Sequence, residues 1–260
     1  MKVTDKDYYM DGYLRTNLDK AKAVIKNNWD FIFIVDGKER RGKSVITQQI
    51  AYYCDPLFTL DNMAFNNEQF YKLVDNARPY SAIVFDEAYS ATNASMAMSK
   101  IAIALKTKLT MIGKKNLYIF IVLPPFFDLN KYIAIWRSCA LIHVYTGDNF
   151  ERGYFSFYDD ERKKKLYIFG KKEYNYGVTK PNFFGRFTDF WIVNRDAYEL
   201  KKDAAISSEV SEVLGRREAK WKARLIKLIN KLKEEGMTQR EIAKKMEIGD
   251  DDISLLVNSV

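Results

Sequence analysis

Cysteine is nearly missing from this chain, with two residues in 260, and histidine is rarer still, with one. Cys54 and Cys139 each sit in an apolar stretch, which predicts buried reduced thiols rather than a disulfide framework. His143 stands alone in the strand-like run Leu141-Ile142-His143-Val144-Tyr145, with no Cys or His cluster around it, so nothing points to zinc. Long apolar runs are lacking as well. The longest, Leu117 to Phe127, is broken by Pro124 and Pro125 and is too short to cross a bilayer. Met1 to Gly12 is charged and has no signal-peptide core. No membrane contact and a cytoplasmic location are therefore expected, the host cytoplasm if the chain is virus-encoded. Internal repeats and low-complexity tracts are absent too.

What remains is ordinary globular material, 47% hydrophobic and 29% charged. The length suits one sizeable α/β domain plus a smaller appendage, with core enough to need no staple. The net charge of +8 is unevenly spread. Residues 100–186 hold 16 Lys/Arg against 7 Asp/Glu, whereas residues 209–260 hold 11 against 10. A basic middle is the footprint of a polyanion-binding surface, or else a solubilising face.

Residues 13–28 have helical spacing, and Trp29 to Val35 reads as a buried strand. Further strands are expected at Tyr80–Phe85, Leu117–Leu123 and Ala140–Tyr145. Helices are expected at Ser44–Tyr53, Asn67–Asn76, Met96–Met111 and Leu129–Trp136. That alternation predicts an α/β fold with a mainly parallel sheet covered on both faces. After Gly147 the texture changes. Tyr154–Tyr158 and Lys165–Phe169 read as aromatic strands joined by a basic turn, and Asn182–Val193 adds more aromatic residues. A long charged helix, about Glu209 to Glu235, leads through Gly236 to two short helices. The expected division is 1–150, 151–206 and 207–260: a core, a basic aromatic β-rich extension and a helical tail.

Gly37-Lys38-Glu39-Arg40-Arg41-Gly42-Lys43-Ser44, followed by Val45, matches G-x-x-x-x-G-K-[ST] at every defined position. The glycines let backbone N–H groups turn inward to cradle phosphates. Lys43 reaches the β/γ oxygens, and the Ser44 hydroxyl ligands Mg²⁺. The loop opens a helix at Ser44, whose N-terminal dipole favours the anion. About forty residues on, Ala82-Ile83-Val84-Phe85-Asp86-Glu87 ends an apolar strand in two carboxylates. Asp86 is placed to hold the Mg²⁺ shell and Glu87 to polarise the attacking water.

These motifs resemble the additional-strand, catalytic-glutamate P-loop ATPases, the class of RecA, FtsK/HerA motors and viral packaging ATPases. Asp36 to Tyr145 is similar to compact ATPases of phages, archaeal viruses and plasmids, including the zonular-occludens-toxin-like group. The pieces that match are Gly37 to Ser44, Phe85-Asp86-Glu87-Ala88, and Lys114-Lys115-Asn116-Leu117 leading to a strand that ends at Pro124. The resemblance implies a RecA-like fold, with Lys43 and Glu87 catalytic, ATP and Mg²⁺ as cofactors, and a homo-oligomeric ring. For a packaging motor it also implies a capsid or portal partner. Such rings often complete a neighbour's site with an arginine. Arg137 is the candidate here, with a surface salt bridge as the alternative, and Arg40 and Arg41 stand inside the loop itself. Where many such motors carry a polar sensor, this chain reads Leu123-Pro124-Pro125; Asn116 and Thr107 are the candidate substitutes.

Two segments point to DNA. Arg162-Lys163-Lys164-Lys165 and Lys171-Lys172 interleave with Tyr158, Tyr167 and Tyr174. Lysines neutralise phosphates, and exposed tyrosines can stack on bases; the bland reading makes the aromatics the inward face of a small sheet. Further on, Thr238 with Glu241 forms a capping box before Ile242, Ala243 and Met246. This resembles the first half of a helix-turn-helix. Its second half, with Asp250, Asp251 and Asp252, repels phosphate, so a protein-binding module is the alternative. The expected function is an ATP-driven nucleic-acid-translocating motor of packaging or transfer type. The rivals are a helicase or replication ATPase, and a nucleotide-gated DNA-binding switch.

Overall fold

A computed structural model describes residues 8–86, 108, 114–246 and 249 of the chain. It divides into two compact units, Met1–Ile206 and Ser207–Val260.

The first unit is an α/β layer structure on one seven-stranded sheet. Its strands are β1 (Phe31–Asp36), β2 (Met63–Ala64), β3 (Ala82–Asp86), β4 (Tyr118–Val122), β5 (Ala140–Tyr145), β6 (Tyr154–Tyr158) and β7 (Phe183–Arg186), in the order β2-β3-β4-β1-β5-β6-β7. β2 to β5 run parallel with β1, while β6 and β7 are antiparallel additions at one edge. The parallel strands are near-continuous apolar runs because both faces are covered.

Phe33, Val35, Val84, Phe120, Val122, Ile142 and Val144 pack on one face against α1 (Gly12–Val24) and α2 (Lys43–Cys54). Ile34, Phe85, Ile119, Ile121 and Leu141 face the other way. They meet α3 (Asn67–Asn76), the segment Phe126–Ile135 and α4 (Asp160–Gly170). Local chemistry fixes the helix starts. The Asp11 carboxylate accepts from Tyr13 N and Leu14 N before α1, and Asn66 accepts from Gln69 N before α3.

Two expectations fail here. Lys165–Phe169 is not a strand but part of α4, and 151–206 is not a separate β-rich extension, since β6 and β7 continue the main sheet. The physical reasons lie in the local chemistry. Asp159 caps α4 by accepting from Arg162 N, Asp160 and Glu161 occupy its first turn, and Lys163, Leu166, Tyr167 and Gly170 are buried at helical spacing. Treating Lys163 as a turn residue hides that period. Leu129–Trp136 also departs from expectation, forming a π-helical turn, Tyr132–Arg137, after a short 3-10 turn at Phe126–Asp128. The expected helix Met96–Met111 lies outside the described residues except for Lys108.

A helix, α5, spans Arg195–Glu234. Within the second unit, Ile229 and Leu232 bury against Ile242 and Ala243 of α6 (Gln239–Met246). Thr238 N donates to Glu241 Oε2 at 2.7 Å, and Glu241 N donates back to Thr238 Oγ1 at 3.4 Å, so the two residues box the start of α6. The expected last helix, with Asp250 to Asp252, lies outside the described residues. Among the described residues no helix is long and apolar enough to cross a membrane.

Candidate functional site

The site forms outside the carboxyl ends of the parallel strands, where open α/β sheets hold ligands. β1 delivers Gly37 there, and β3 delivers Asp86. Across β4, Val122 pairs with both Val35 and Asp86, so the two motifs end level, two strand spacings or about 10 Å apart.

The loop between β1 and α2 needs its glycines. Gly37 has φ +135°, and a Cβ there would stand 2.1 Å from the Val144 carbonyl oxygen. Gly42, at φ +96°, caps α2 with no side-chain acceptor, and its α-carbon face meets the Phe187 ring. Hence the first N–H groups of α2 are left to water or a ligand. Between the glycines, Lys38, Glu39 and Arg40 are exposed, Arg41 is half-buried, and Val45 begins the buried part of α2.

Lys43 folds over this loop. Its Nζ donates to Gly37 O at 2.7 Å and Lys38 O at 2.9 Å. Burial lowers its pKa, while Asp86 and Asp36 pull it back up. Asp86, only 3% exposed, accepts from the Tyr198 hydroxyl at 2.6 Å, and the same hydroxyl lies 3.0 Å from Ser44 Oγ. Burial and the Asp86 carboxylate push the Tyr198 phenol far upward, so it stays a neutral donor. Lys202 Nζ reaches that hydroxyl at 3.1 Å and Asp86 Oδ1 at 3.8 Å. These groups line a cavity of about 620 Å³, which Arg152, Trp191 and Arg195 line as well.

Behind the loop lies a second polar cluster. Asp36, fully buried, accepts from His143 Nδ1 at 2.9 Å, from Phe126 N at 2.9 Å and from the Tyr176 hydroxyl. Gly37 N donates to Pro124 O at 2.9 Å. The Pro124–Phe126 segment at the end of β4 thus clasps the base of the loop, and His143 partners Asp36 while stacking on Tyr176.

Lys43, Ser44 and Asp86 therefore come together. No protein-family model matches the chain, and no curated protein does either. Other expected residues go elsewhere. Arg137 sits at the opposite, amino-terminal edge of the sheet, where it forms a salt bridge with Asp30. Asn116 precedes β4 at that same far edge, so it cannot sense a phosphate at the loop of its own chain. Glu87 and Thr107 lie outside the described residues.

The donor set suits a hard cation bound together with phosphates. Ser44 Oγ and Asp86 Oδ2 converge on one point, the Tyr198 oxygen that both reach. Two protein oxygens are few for a cage, but Mg²⁺ commonly takes one or two protein ligands plus phosphates and water. Sequence reasoning missed Tyr198 and Lys202 altogether. They stand more than a hundred residues from Asp86, and a Tyr and a Lys four apart on a helix announce nothing.

Proposed function

We propose that the chain is a P-loop ATPase with a RecA-like core that uses ATP and Mg²⁺ to move nucleic acid, in packaging or transfer of a viral or mobile-element genome. The observation that carries this reading is the convergence of Lys43, Ser44 and Asp86 on one cavity at the mouth of the glycine loop. The sheet order lends further support. β4 lies between the strand bearing the loop and the strand bearing Asp86, the extra strand after which the resembling class is named.

In this reading Lys43 leaves the loop carbonyls for the β/γ oxygens, and the uncapped N–H groups of α2 bind the remaining phosphate charge. Ser44 and Asp86 hold Mg²⁺, which supplies charge neutralisation on the phosphates when bound. Glu87, next along the chain from Asp86, keeps the role of general base that the resemblance gives it. Arg137 remains a finger only for a neighbouring copy in a ring, and only if its pairing with Asp30 opens.

The nucleic-acid surface is narrower than the run of lysines suggests. Lys163 is fully buried, with Nζ on Ala134 O at 2.6 Å and Asp160 at 3.1 Å, so it cannot touch phosphate. Tyr158 and Tyr167 are buried as well. The exposed face of α4 instead carries Lys164, Lys165 and Phe169, with Lys172 just beyond and Lys164 5.0 Å over the exposed Trp136 ring. Cations beside open aromatic faces suit single-stranded or distorted nucleic acid.

Replacing Lys164, Lys165 and Lys172 with alanine is expected to flatten the salt dependence of DNA binding, by about 0.7 log unit per log salt on single strands, or about 0.9 on duplex, for each phosphate that is no longer neutralised. DNA-stimulated ATPase falls with it while basal turnover stays. Unchanged slopes in the triple variant would rule this face out as the DNA surface.

A further inference from the structure

The contact between Tyr198 and the two motif ends goes beyond the assignment of a nucleotide site, and it rests on that assignment. Asp86 is a buried carboxylate, and such a charge is costly unless something pairs with it. Here the pairing comes from α5. The Tyr198 hydroxyl donates at 2.6 Å, the Lys202 ammonium stands at 3.8 Å from the other oxygen, and the same hydroxyl spans to Ser44 Oγ at 3.0 Å. A cation shared by Ser44 and Asp86 has metal–oxygen distances of about 2.1 Å or an intervening water. A phenol oxygen within hydrogen-bond reach of both oxygens fills the space that this ion or its water needs. Lys202 supplies the positive charge that the ion would otherwise bring.

We infer that Tyr198, backed by Lys202, is an internal latch on the metal position, so that the phenol and a divalent cation carried in with a nucleotide exclude one another between Ser44 and Asp86. Loading the site then requires the first turns of α5 to release Tyr198. The nucleotide's affinity in the presence of the cation is reduced by the fraction of time the latch stays closed. Nucleotide without cation, held by Lys43 and the loop, does not meet this competition.

Tyr198→Phe removes the hydroxyl while keeping the ring, which packs edge-on against Phe65 at 5.3 Å and Trp191 at 5.1 Å. A fluorescent ATP analogue, titrated at equilibrium into the full chain, reads the consequence. With Mg²⁺, Tyr198→Phe should bind about tenfold tighter than wild type, the scale set by losing one hydrogen bond to a charged group. In EDTA the two should differ little. A second measurement needs no change at Tyr198. In a chain with Trp29, Trp136 and Trp221 replaced by Phe, all of them exposed, Trp191 reports on its neighbour. Trp191 also lines the cavity, so nucleotide in EDTA gives its own signal. Adding Mg²⁺ to the nucleotide-bound chain should then produce a further change in emission that nucleotide in EDTA does not.

Tyr198→Phe binding no tighter than wild type in Mg²⁺, or a Trp191 signal indifferent to the cation, overturns the latch. If Lys43→Ala weakens binding while Tyr198→Phe changes nothing, only the latch falls. If the wild-type chain binds no nucleotide at all, the site assignment fails and takes the latch with it.

Discussion

Lys163 gives the sharpest quantitative test, because its sequence neighbours promise one behaviour and its surroundings another. The side chain is wholly buried, its ammonium donates to Ala134 O, and its acidic partner Asp160 is 67% exposed. Lys163→Ala removes three buried methylenes, about 2–3 kcal/mol of apolar burial. It also deprives the Ala134 carbonyl of its stronger donor, although Ser138 Oγ remains at 3.2 Å. That adds about 1 kcal/mol. Relief of the desolvated ammonium, whose pKa burial lowers, works in the opposite direction. The net expectation is a loss of about 2–4 kcal/mol. Lys163→Met keeps the stem and discards the charge, and Asp160 is left solvated, so it should cost under about 1.5 kcal/mol. Lys164→Ala, on the exposed side of the same helix, should lie within about 0.5 kcal/mol of wild type. Urea denaturation of the three variants at constant m-value measures all of this. If Lys163→Ala and Lys164→Ala are equally harmless, α4 is turned the wrong way, and the choice of DNA-facing lysines falls with it.

Gly37→Ala forces a Cβ to within 2.1 Å of the Val144 carbonyl at a φ of +135°, and backbone cannot step aside as a side chain can. The expected loss is about 3–5 kcal/mol in the same denaturation assay, and a variant as stable as wild type would show that the loop geometry is wrong. Burial pushes the Cys54 thiol well above its usual range, so the folded chain keeps a proton that the unfolded chain loses above about pH 8.5. Stability should therefore fall as pH rises past that point, by about 1.4 kcal/mol per pH unit from this group. Denaturation between pH 8 and 10.5 should show a shallower decline in Cys54→Ala, and parallel curves would refute the assignment.

Much of the sheet is legible in the sequence because β1, β3 and β4 are apolar runs ended by carboxylate or proline, and β5 is one interrupted only by His143. α3 and β5 fall on the residues that periodicity indicates, since Asn66 caps the one and Ser138-Cys139 precede the other. The misreading at 159–170 comes from treating charge as a proxy for exposure. A buried lysine whose head finds a π-turn carbonyl breaks that rule, and nothing local to Lys163 reveals Ala134. In the site, the loop and Asp86 carry chemistry that depends on short spacing, so they are visible in the sequence. Tyr198 and Lys202 act across the fold, as do Asp36, His143 and Tyr176, and each becomes meaningful only when distant strands and helices meet.

The central claim is that the cavity at Gly37–Ser44 binds ATP through Lys43. Equilibrium titration of a fluorescent ATP analogue into wild type and Lys43→Ala, each with Mg²⁺ and with EDTA, tests it most directly. Saturable binding is expected for wild type, with a loss of about 10- to 100-fold in Lys43→Ala because a charged contact to phosphate is removed. The melting temperature of Lys43→Ala should stay close to that of wild type. Equal affinity in the two proteins, or no binding by a folded wild-type chain, would contradict the claim.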